Sequence, residues 1–138
     1  MQEKVLNILL VEDDQVDVMN VERAFQRNRI TNPLFKATDG IEALAMLRSG
    51  EVPRERRIVL LDLNMPRMNG IEFLRELRKD PALALTPVVM LTTSNDDRDK
   101  IEAYNLNVAG YLLKPVTFTS FVEVMAALNK YWTLVELP

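Results

Sequence analysis

The chain has 138 residues, of which 48% are hydrophobic and 27% are charged, and its formal net charge is −3. These values predict a single globular domain and exclude intrinsic disorder, which combines few apolar residues with a high net charge. The sequence contains no cysteine and no histidine, which excludes disulfides, thiolate or imidazole metal sites, and histidine general bases.

Short apolar runs of strand length recur along the chain. In chain order they cover residues 8–11, 34–37, 58–61, 88–91 and 108–113. Continuous apolar runs are typical of strands that are covered on both faces of a parallel sheet.

Helices are predicted between and after these strands, because the intervening stretches carry apolar residues at helical spacing. Their predicted apolar faces are Val18, Val21, Ala24 and Phe25; Ile41, Leu44 and Leu47; Ile71, Leu74 and Leu77; Ile101 with Tyr104; and Phe118, Phe121, Val122, Met125 and Leu128. Five strands alternating with five helices predict an α/β fold, a doubly wound parallel sheet. The functional site of such a sheet lies outside the carboxyl ends of its strands.

Polar and charged residues follow four of the predicted strands, where the site is expected. Glu12, Asp13 and Asp14 follow the first strand, Asp62 the third, Thr92 with Thr93 and Ser94 the fourth, and Lys114 the fifth. Each residue alone has a plain explanation, such as a helix cap or a solvated loop. Their coincidence at one edge of the sheet favours a functional site.

The chemistry of this set predicts a Mg²⁺-dependent phosphoryl site. Clustered carboxylates need a neutralising cation, and ligand sets made of oxygen alone favour Mg²⁺ over zinc. A lysine and a hydroxyl complete the contacts that a phosphoryl group needs. Asp62 is the candidate nucleophile because it ends the central strand. It begins a loop that Pro66 stiffens and that can direct the backbone carbonyl of Asn64 at a metal.

Four sequence anchors, in order and in register with the predicted elements, resemble the receiver domains of two-component response regulators. They are Val11-Glu12-Asp13-Asp14, Leu60-Leu61-Asp62-Leu63-Asn64-Met65-Pro66 with Gly70, Leu91-Thr92, and Tyr111 with Lys114-Pro115. Thr92 and Lys114 stand 30 and 52 residues after Asp62, as in the family. The resemblance implies a flavodoxin-like fold with strand order 2-1-3-4-5. It also implies one receiver domain over residues 1–138, with a core of about 6–131 and a tail of 132–138.

The resemblance implies that Asp62 is the phosphoacceptor. Glu12 and Asp13 then correspond to the acidic pair that holds Mg²⁺, together with Asp62 and the carbonyl of Asn64. Glu12 departs from a pure aspartate pair and is expected to act through water. Asp14 lies one place beyond the pair and is interpreted as a helix cap.

The remaining anchors correspond to the family's switch. Thr92 resembles the hydroxyl that closes on the phosphoryl group, with Thr93 and Ser94 as loop residues, and Lys114 resembles the lysine that pairs with a phosphoryl oxygen. Tyr111 resembles the aromatic switch residue, and a half-buried strand tyrosine is the alternative. By the same resemblance, the bond from Lys114 to Pro115 is expected to be cis.

Residues 62–68, 91–94 and 131–138 resemble in particular the single-domain regulators that partner phytochrome-type kinases. Because the chain has no histidine, the phosphoryl donor is expected on another molecule, a sensor histidine kinase or a phosphotransfer protein. We expect no output domain, so the signal would be a change of surface. We also expect that the protein is not a turnover enzyme, although it assists its own phosphorylation and dephosphorylation.

Aromatic and apolar residues near the predicted fourth helix, fifth strand, fifth helix and tail favour a homodimer through that face. These residues are Tyr104, Tyr111, Tyr131, Trp132, Leu134 and Leu137. The alternative is that Trp132 and Leu134 pack the tail onto their own domain. A basic run and a membrane-length apolar run are both missing from the sequence, so nucleic acid and membrane are not expected partners. The absence of cysteine and of a signal-peptide pattern favours the cytoplasm.

Three rival functions stay open. A phosphohydrolase with an aspartyl nucleophile usually carries a second aspartate two residues later, where this chain has Asn64. A flavin or nucleotide binder needs glycine or hydroxyl residues after the first strand, where this chain has acidic residues 12–14. A phosphate-independent pseudo-receiver would act as an interaction module alone.

Overall fold

One five-stranded parallel sheet forms the centre of the domain in the computed structural model, which describes residues 5–138. The strands are β1 (Asn7–Val11), β2 (Leu34–Ala37), β3 (Arg57–Leu61), β4 (Val88–Thr92) and β5 (Gly110–Leu113). Their order is β2-β1-β3-β4-β5, and every neighbouring pair is parallel. The predicted fold class and strand order are confirmed.

A helix follows each strand, and each begins at a side chain that caps its first turn. The helices are α1 (Gln15–Arg27), α2 (Gly40–Ser49), α3 (Gly70–Lys79), α4 (Asp97–Asn105) and α5 (Phe118–Leu134). The caps are Asp14, Asp39, Asn69, Asp96 and Thr117. Because each cap accepts hydrogen bonds from backbone N–H groups that lack an intrahelical partner, local sequence determines where each helix starts.

The sheet separates two hydrophobic cores. Leu9 and Val59 face the core shared with α2, α3 and α4, whereas Ile8 and Ile58 face the core shared with α1 and α5. Successive residues of a strand point to opposite faces, so the continuous apolar runs 8–11 of β1 and 58–61 of β3 fill both cores. This two-sided burial explains the continuous apolar runs in the sequence.

Two predicted helix faces are wrong in part. Ile101 is 62% exposed and Ile41 is also exposed. In α4 the small Ala103 is the buried residue, because a short side chain brings the helix close to the sheet. Ile41 lies in the first turn of α2, outside the face that Leu44 and Leu47 bury.

The C-terminal segment is more helical than predicted, since α5 continues through Leu134. Trp132 is 1% exposed, and its ring meets Phe25 of α1 edge to face at 6.2 Å between centroids. Trp132 therefore packs onto its own domain, while Leu134 is exposed. Within residues 5–138, no helix combines the length and apolar character that crossing a bilayer requires.

Candidate functional site

The ends of β1 and β3 bring Glu12 and Asp62 together at one edge of the sheet. Val11 and Leu61, the last residues of the two strands, are register partners, and the N–H of Asp62 donates to the carbonyl of Val11 at 3.0 Å. Glu12 directly follows β1 and Asp62 directly follows β3, and both side chains are buried. The carboxylates meet because the strands are parallel and in register.

Asp13 joins these two residues in a cluster of three carboxylates. One oxygen from each of Glu12, Asp13 and Asp62 lies within 4.8 Å of the others. Such a group carries more negative charge than it tolerates without a cation, and oxygen ligands suit a hard divalent ion. The donor set therefore fits a metal of the Mg²⁺ type.

Lys114 is the cation that faces this cluster. Its side chain is 7% exposed, and its Nζ lies 2.8 Å from Glu12 Oε2, 2.8 Å from Asp17 Oδ2 and 3.5 Å from Asp62 Oδ2. The end of β5 places it there, since the backbone N–H of Lys114 donates to the carbonyl of Thr92 at 2.8 Å. Sequence reasoning missed Asp17, which lies 97 residues from Lys114 in the chain.

Thr92, Ser94 and Tyr111 form a hydrogen-bonded series that leads away from the cluster. The side chain of Thr92 is fully buried, and its Oγ1 accepts from the N–H of Ser94 at 3.3 Å. The Tyr111 hydroxyl donates to the carbonyl of Ser94 at 2.9 Å, and the Ser94 hydroxyl donates to Asp99 in α4 at 2.6 Å. Ser94 thus connects three elements, although the sequence indicated only a loop residue.

The loop that begins at Asp62 is tied to the start of α2 by an ion pair between exposed Arg67 and buried Asp39. Asp39 is buried, and its Oδ2 accepts from Arg67 Nε at 2.6 Å. The N–H of Gly40 donates to the carbonyl of Met68 at 3.1 Å. Because a buried carboxylate needs a charged partner, Arg67 fixes the far end of this loop. Asp39 and Arg67 were not among the predicted site residues.

Gly70 allows the same loop to close against β3. The N–H of Gly70 donates to the carbonyl of Leu63 at 2.9 Å. A Cβ at this position would lie 2.5 Å from the carbonyl oxygen of Asp62 and 2.9 Å from the Cα of Leu63. Both neighbours are backbone atoms, so a residue with a side chain would push Asp62 out of position.

Comparison with known proteins identifies the family to which this arrangement belongs. The family model of the response regulator receiver domain matches residues 8–126. The chain is a member of the response regulator receiver family.

Relatives of this receiver domain include regulators of known structure. It is 36% identical over 128 residues to the response regulator Rcp1 of Synechocystis sp., with 91% of this chain and 87% of Rcp1 covered. It is 39% identical over 127 residues to the probable methanogenesis regulatory protein FilR2 of Methanothrix harundinacea, with 91% and 82% covered.

Solved structures show the same fold along the whole length of the receiver domain. The crystal structure of the phosphorylated cyanobacterial phytochrome response regulator RcpA has a TM-score of 0.87 and 32% identity, with 98% of this chain and 99% of that chain covered. The Mn²⁺-bound form of Rcp1 has a TM-score of 0.83 and 36% identity, with 96% and 99% covered. Receiver domains bind a divalent metal, and this receiver domain has an acidic cluster that fits one.

Burial raises the pKa of Glu12 in the metal-free receiver domain to about 7, and the nearby charge of Asp62 adds to the rise. Lys114 opposes this shift through its hydrogen bond. For Lys114, burial alone lowers the pKa, but its bonds to Asp17 and Glu12 and the charge of Asp62 raise it above its ordinary value. Lys114 is therefore charged at neutral pH, whereas Glu12 is partly protonated in the absence of a metal ion.

The structure corrects one expectation taken from the resemblance. No cis peptide bond is found in residues 5–138, so the bond between Lys114 and Pro115 is trans. The trans form of an X–Pro bond is favoured by about 0.5–1 kcal/mol.

Asp14 caps α1 as predicted, accepting from the N–H groups of Val16 and Asp17. Asn64 lies on the exposed part of the loop after Asp62.

Proposed function

We propose that this receiver domain accepts a phosphoryl group on Asp62 from a phosphohistidine on another protein, and signals by the change of surface that follows. One observation carries the proposal. The buried carboxylate of Asp62 belongs to an acidic cluster that fits a divalent ion, and it also faces the buried ammonium of Lys114. A phosphoryl group placed there meets positive charge on two sides.

The transfer itself needs one bond exchange. A carboxylate oxygen of Asp62 forms a bond to phosphorus while the bond from phosphorus to the donor imidazole nitrogen breaks, and that nitrogen keeps the electron pair. The N–H of Leu63 donates to Asp62 Oδ1 at 2.8 Å and holds the orientation of the carboxylate. Lys114 offers an N–H to a phosphoryl oxygen. Glu12, Asp13, Asp62 and the carbonyl of Asn64 would hold Mg²⁺, which would supply positive charge beside the phosphoryl oxygens.

The proposed switch uses the series from Thr92 to Tyr111. The Thr92 hydroxyl gains a hydrogen bond to the phosphoryl group by moving towards it, which changes its contact with the N–H of Ser94. Ser94 holds the Tyr111 hydroxyl and Asp99 of α4. A shift at Ser94 therefore biases α4 and β5 between two arrangements of a preformed fold.

An exposed apolar rim beside Lys114 supports docking of a donor protein. Val16 and Met19 are exposed one turn apart on α1, and Val116, in the loop after β5, is fully exposed. The ion pair between Lys114 and Asp17 joins these two segments. We propose that a sensor histidine kinase or phosphotransfer protein covers this rim during transfer. We also propose that the donor belongs to a phytochrome-type system, because the similar RcpA is a phytochrome response regulator.

The proposed role is that of a phosphoacceptor and not of a turnover enzyme, because Asn64 occupies the place where a general acid would serve repeated hydrolysis.

Transfer from a histidine-phosphorylated kinase domain, followed by autoradiography, tests the role. The kinase is expected to lose its label to this chain. A chain that stays unlabelled with every kinase and with small phosphodonors would support the alternative, a pseudo-receiver that acts as an interaction module. Location in the cytoplasm stays a prediction from the sequence.

Mg²⁺ is expected to bind more weakly at pH 6 than at pH 8. Glu12 carries a proton below its raised pKa of about 7, and this proton must leave when the metal binds. Below this pKa, the affinity for Mg²⁺ is expected to fall by about tenfold per pH unit. Calorimetric titration with Mg²⁺ measures it, and Glu12→Gln is expected to flatten the pH dependence. An affinity for Mg²⁺ that is equal at both pH values contradicts the assignment.

We propose that the phosphorylated form dimerises through α4, β5 and α5. Exposed apolar side chains mark this face: Ile101, Tyr104, Leu113, Tyr131 and Leu134. Sedimentation of the full chain with Mg²⁺ and beryllium trifluoride, a phosphoryl analogue, is expected to show a dimer that Leu113→Asp disrupts. Leu85→Asp is the matched control, because Leu85 is an equally apolar, exposed residue outside this face. A monomer at high micromolar concentration, with and without the analogue, contradicts the dimer.

A further inference from the structure

Asp17 differs from the other two carboxylates that contact Lys114. Glu12 and Asp62 belong to the acidic cluster that fits a metal, and Asp17 does not. Asp17 lies in the first turn of α1, where its N–H donates to the capping Asp14 at 3.3 Å. Its carboxylate accepts from Lys114 Nζ at 2.8 Å. The contact thus joins the phosphoryl-binding lysine to a helix that supplies no metal ligand.

Lys114 shares one ammonium among three carboxylates. An ammonium has three N–H donors and no acceptor. Two of the contacts, to Glu12 and Asp17, are short at 2.8 Å, and the third, to Asp62, is 3.5 Å. A phosphoryl group on Asp62 brings further anionic oxygens beside this ammonium, so it competes with the two short contacts.

Burial decides which contact is exchanged. The side chain of Glu12 is 4% exposed, whereas that of Asp17 is 22% exposed. A buried carboxylate that loses its charged partner is strongly destabilised, while a partly exposed one regains water. Breaking the contact with Asp17 is therefore the less costly exchange.

We infer that Asp17 is a positioning residue that holds Lys114 in the unphosphorylated state and competes with the phosphoryl group for its ammonium. The inference rests on the proposed phosphorylation of Asp62. Asp17 then sets how strongly the phosphorylated form is favoured, although it touches neither the phosphoryl group nor the metal. Releasing Lys114 also removes the contact between the residue after β5 and the first turn of α1, next to exposed Val16 and Met19.

The test compares the affinity for beryllium trifluoride of three variants with that of the natural chain, at saturating Mg²⁺, by fluorine NMR. Asp17→Asn removes the competing charge and is expected to bind the analogue at least about fivefold more tightly. Asp17→Glu restores the charge and is expected to bring the affinity back towards that of the natural chain. Asp14→Asn is the matched control, because asparagine caps a helix about as well as aspartate and Asp14 makes no ion pair with Lys114 among the described residues.

Three results would overturn the inference. One is an Asp17→Asn affinity for the analogue that is equal to or weaker than that of the natural chain. Another is an equal gain in affinity for the analogue in Asp14→Asn. The third is an equal gain in the affinity of Asp17→Asn for Mg²⁺ alone. Either of these two results indicates a general charge effect. A natural chain that binds no analogue would instead reject the proposed function, so the two failures are distinguishable.

Discussion

Replacing Lys114 with methionine is expected to lower the free energy of unfolding of the metal-free protein by about 3–5 kcal/mol and to abolish phosphorylation. Methionine keeps an unbranched side chain that is one atom shorter, but it leaves Glu12, Asp17 and Asp62 without their shared cation. The destabilisation arises because buried charges without a partner are costly. Phosphorylation fails because no ammonium then faces the phosphoryl oxygens.

The pH dependence of this loss follows from the two raised pKa values. A lysine whose pKa is raised on folding contributes stability that is present below its unfolded pKa and lost as the pH rises through the folded value. The ion pairs of Lys114 are therefore complete at neutral pH. Glu12 takes up a proton below about pH 7, which relieves part of the unbalanced charge. The destabilisation by Lys114→Met is thus expected to be larger at pH 8 than at pH 6.

Urea denaturation at the two pH values measures the effect, and Lys36→Met is the control. Lys36 pairs with Glu22 at 3.4 Å, but both side chains are about half exposed. Surface pairs of this kind contribute about 0–1 kcal/mol, so Lys36→Met should change stability little at either pH. Equal effects of the two substitutions would contradict the assigned role of the buried lysine.

Replacing Gly70 with alanine is expected to cost about 1–3 kcal/mol of stability and to slow phosphorylation. The added Cβ would overlap the backbone of Asp62 and Leu63, so α3 and the end of β3 must separate. This displacement moves the phosphoacceptor carboxylate, and misplaced reacting groups lose rate steeply.

Gly110→Ala is the matched control for this substitution. Gly110 begins β5, and no atom of a residue beyond its two chain neighbours lies within 4 Å of the position that its Cβ would occupy. Alanine there is expected to be neutral or stabilising by up to about 1 kcal/mol. Thermal unfolding and phosphorylation by acetyl phosphate measure both variants. If Gly70→Ala behaves like Gly110→Ala, the close approach of α3 to Asp62 does not constrain the site.

The sequence was sufficient to predict the fold because its central strands are buried on both faces and its helix starts carry capping residues. β1 and β3 contain the unbroken apolar runs 8–11 and 58–61, and Asp14 and Asn69 stand where α1 and α3 begin. The helix faces were harder to predict. The exposure of Ile101 depends on how closely the short Ala103 brings α4 to the sheet, and this is a property of packing.

The predicted site residues follow strand ends, which the sequence pattern locates. Glu12, Asp62 and Lys114 meet for this reason. The contacts of Asp17 with Lys114 and of Asp39 with Arg67 join side chains 97 and 28 residues apart. No local pattern indicates such pairs, because each partner alone resembles a residue of a solvated first turn or loop.

Phosphorylation of Asp62 is tested most directly by intact mass spectrometry after incubation with acetyl phosphate and Mg²⁺. The natural chain and Asp14→Asn are expected to gain the mass of one phosphoryl group, and Asp62→Asn is expected to gain none. The amide that replaces the Asp62 carboxylate cannot act as the nucleophile, while Asp14→Asn removes a neighbouring carboxylate outside the cluster. Equal gains in Asp62→Asn and the natural chain, or no gain in the natural chain, would contradict the account.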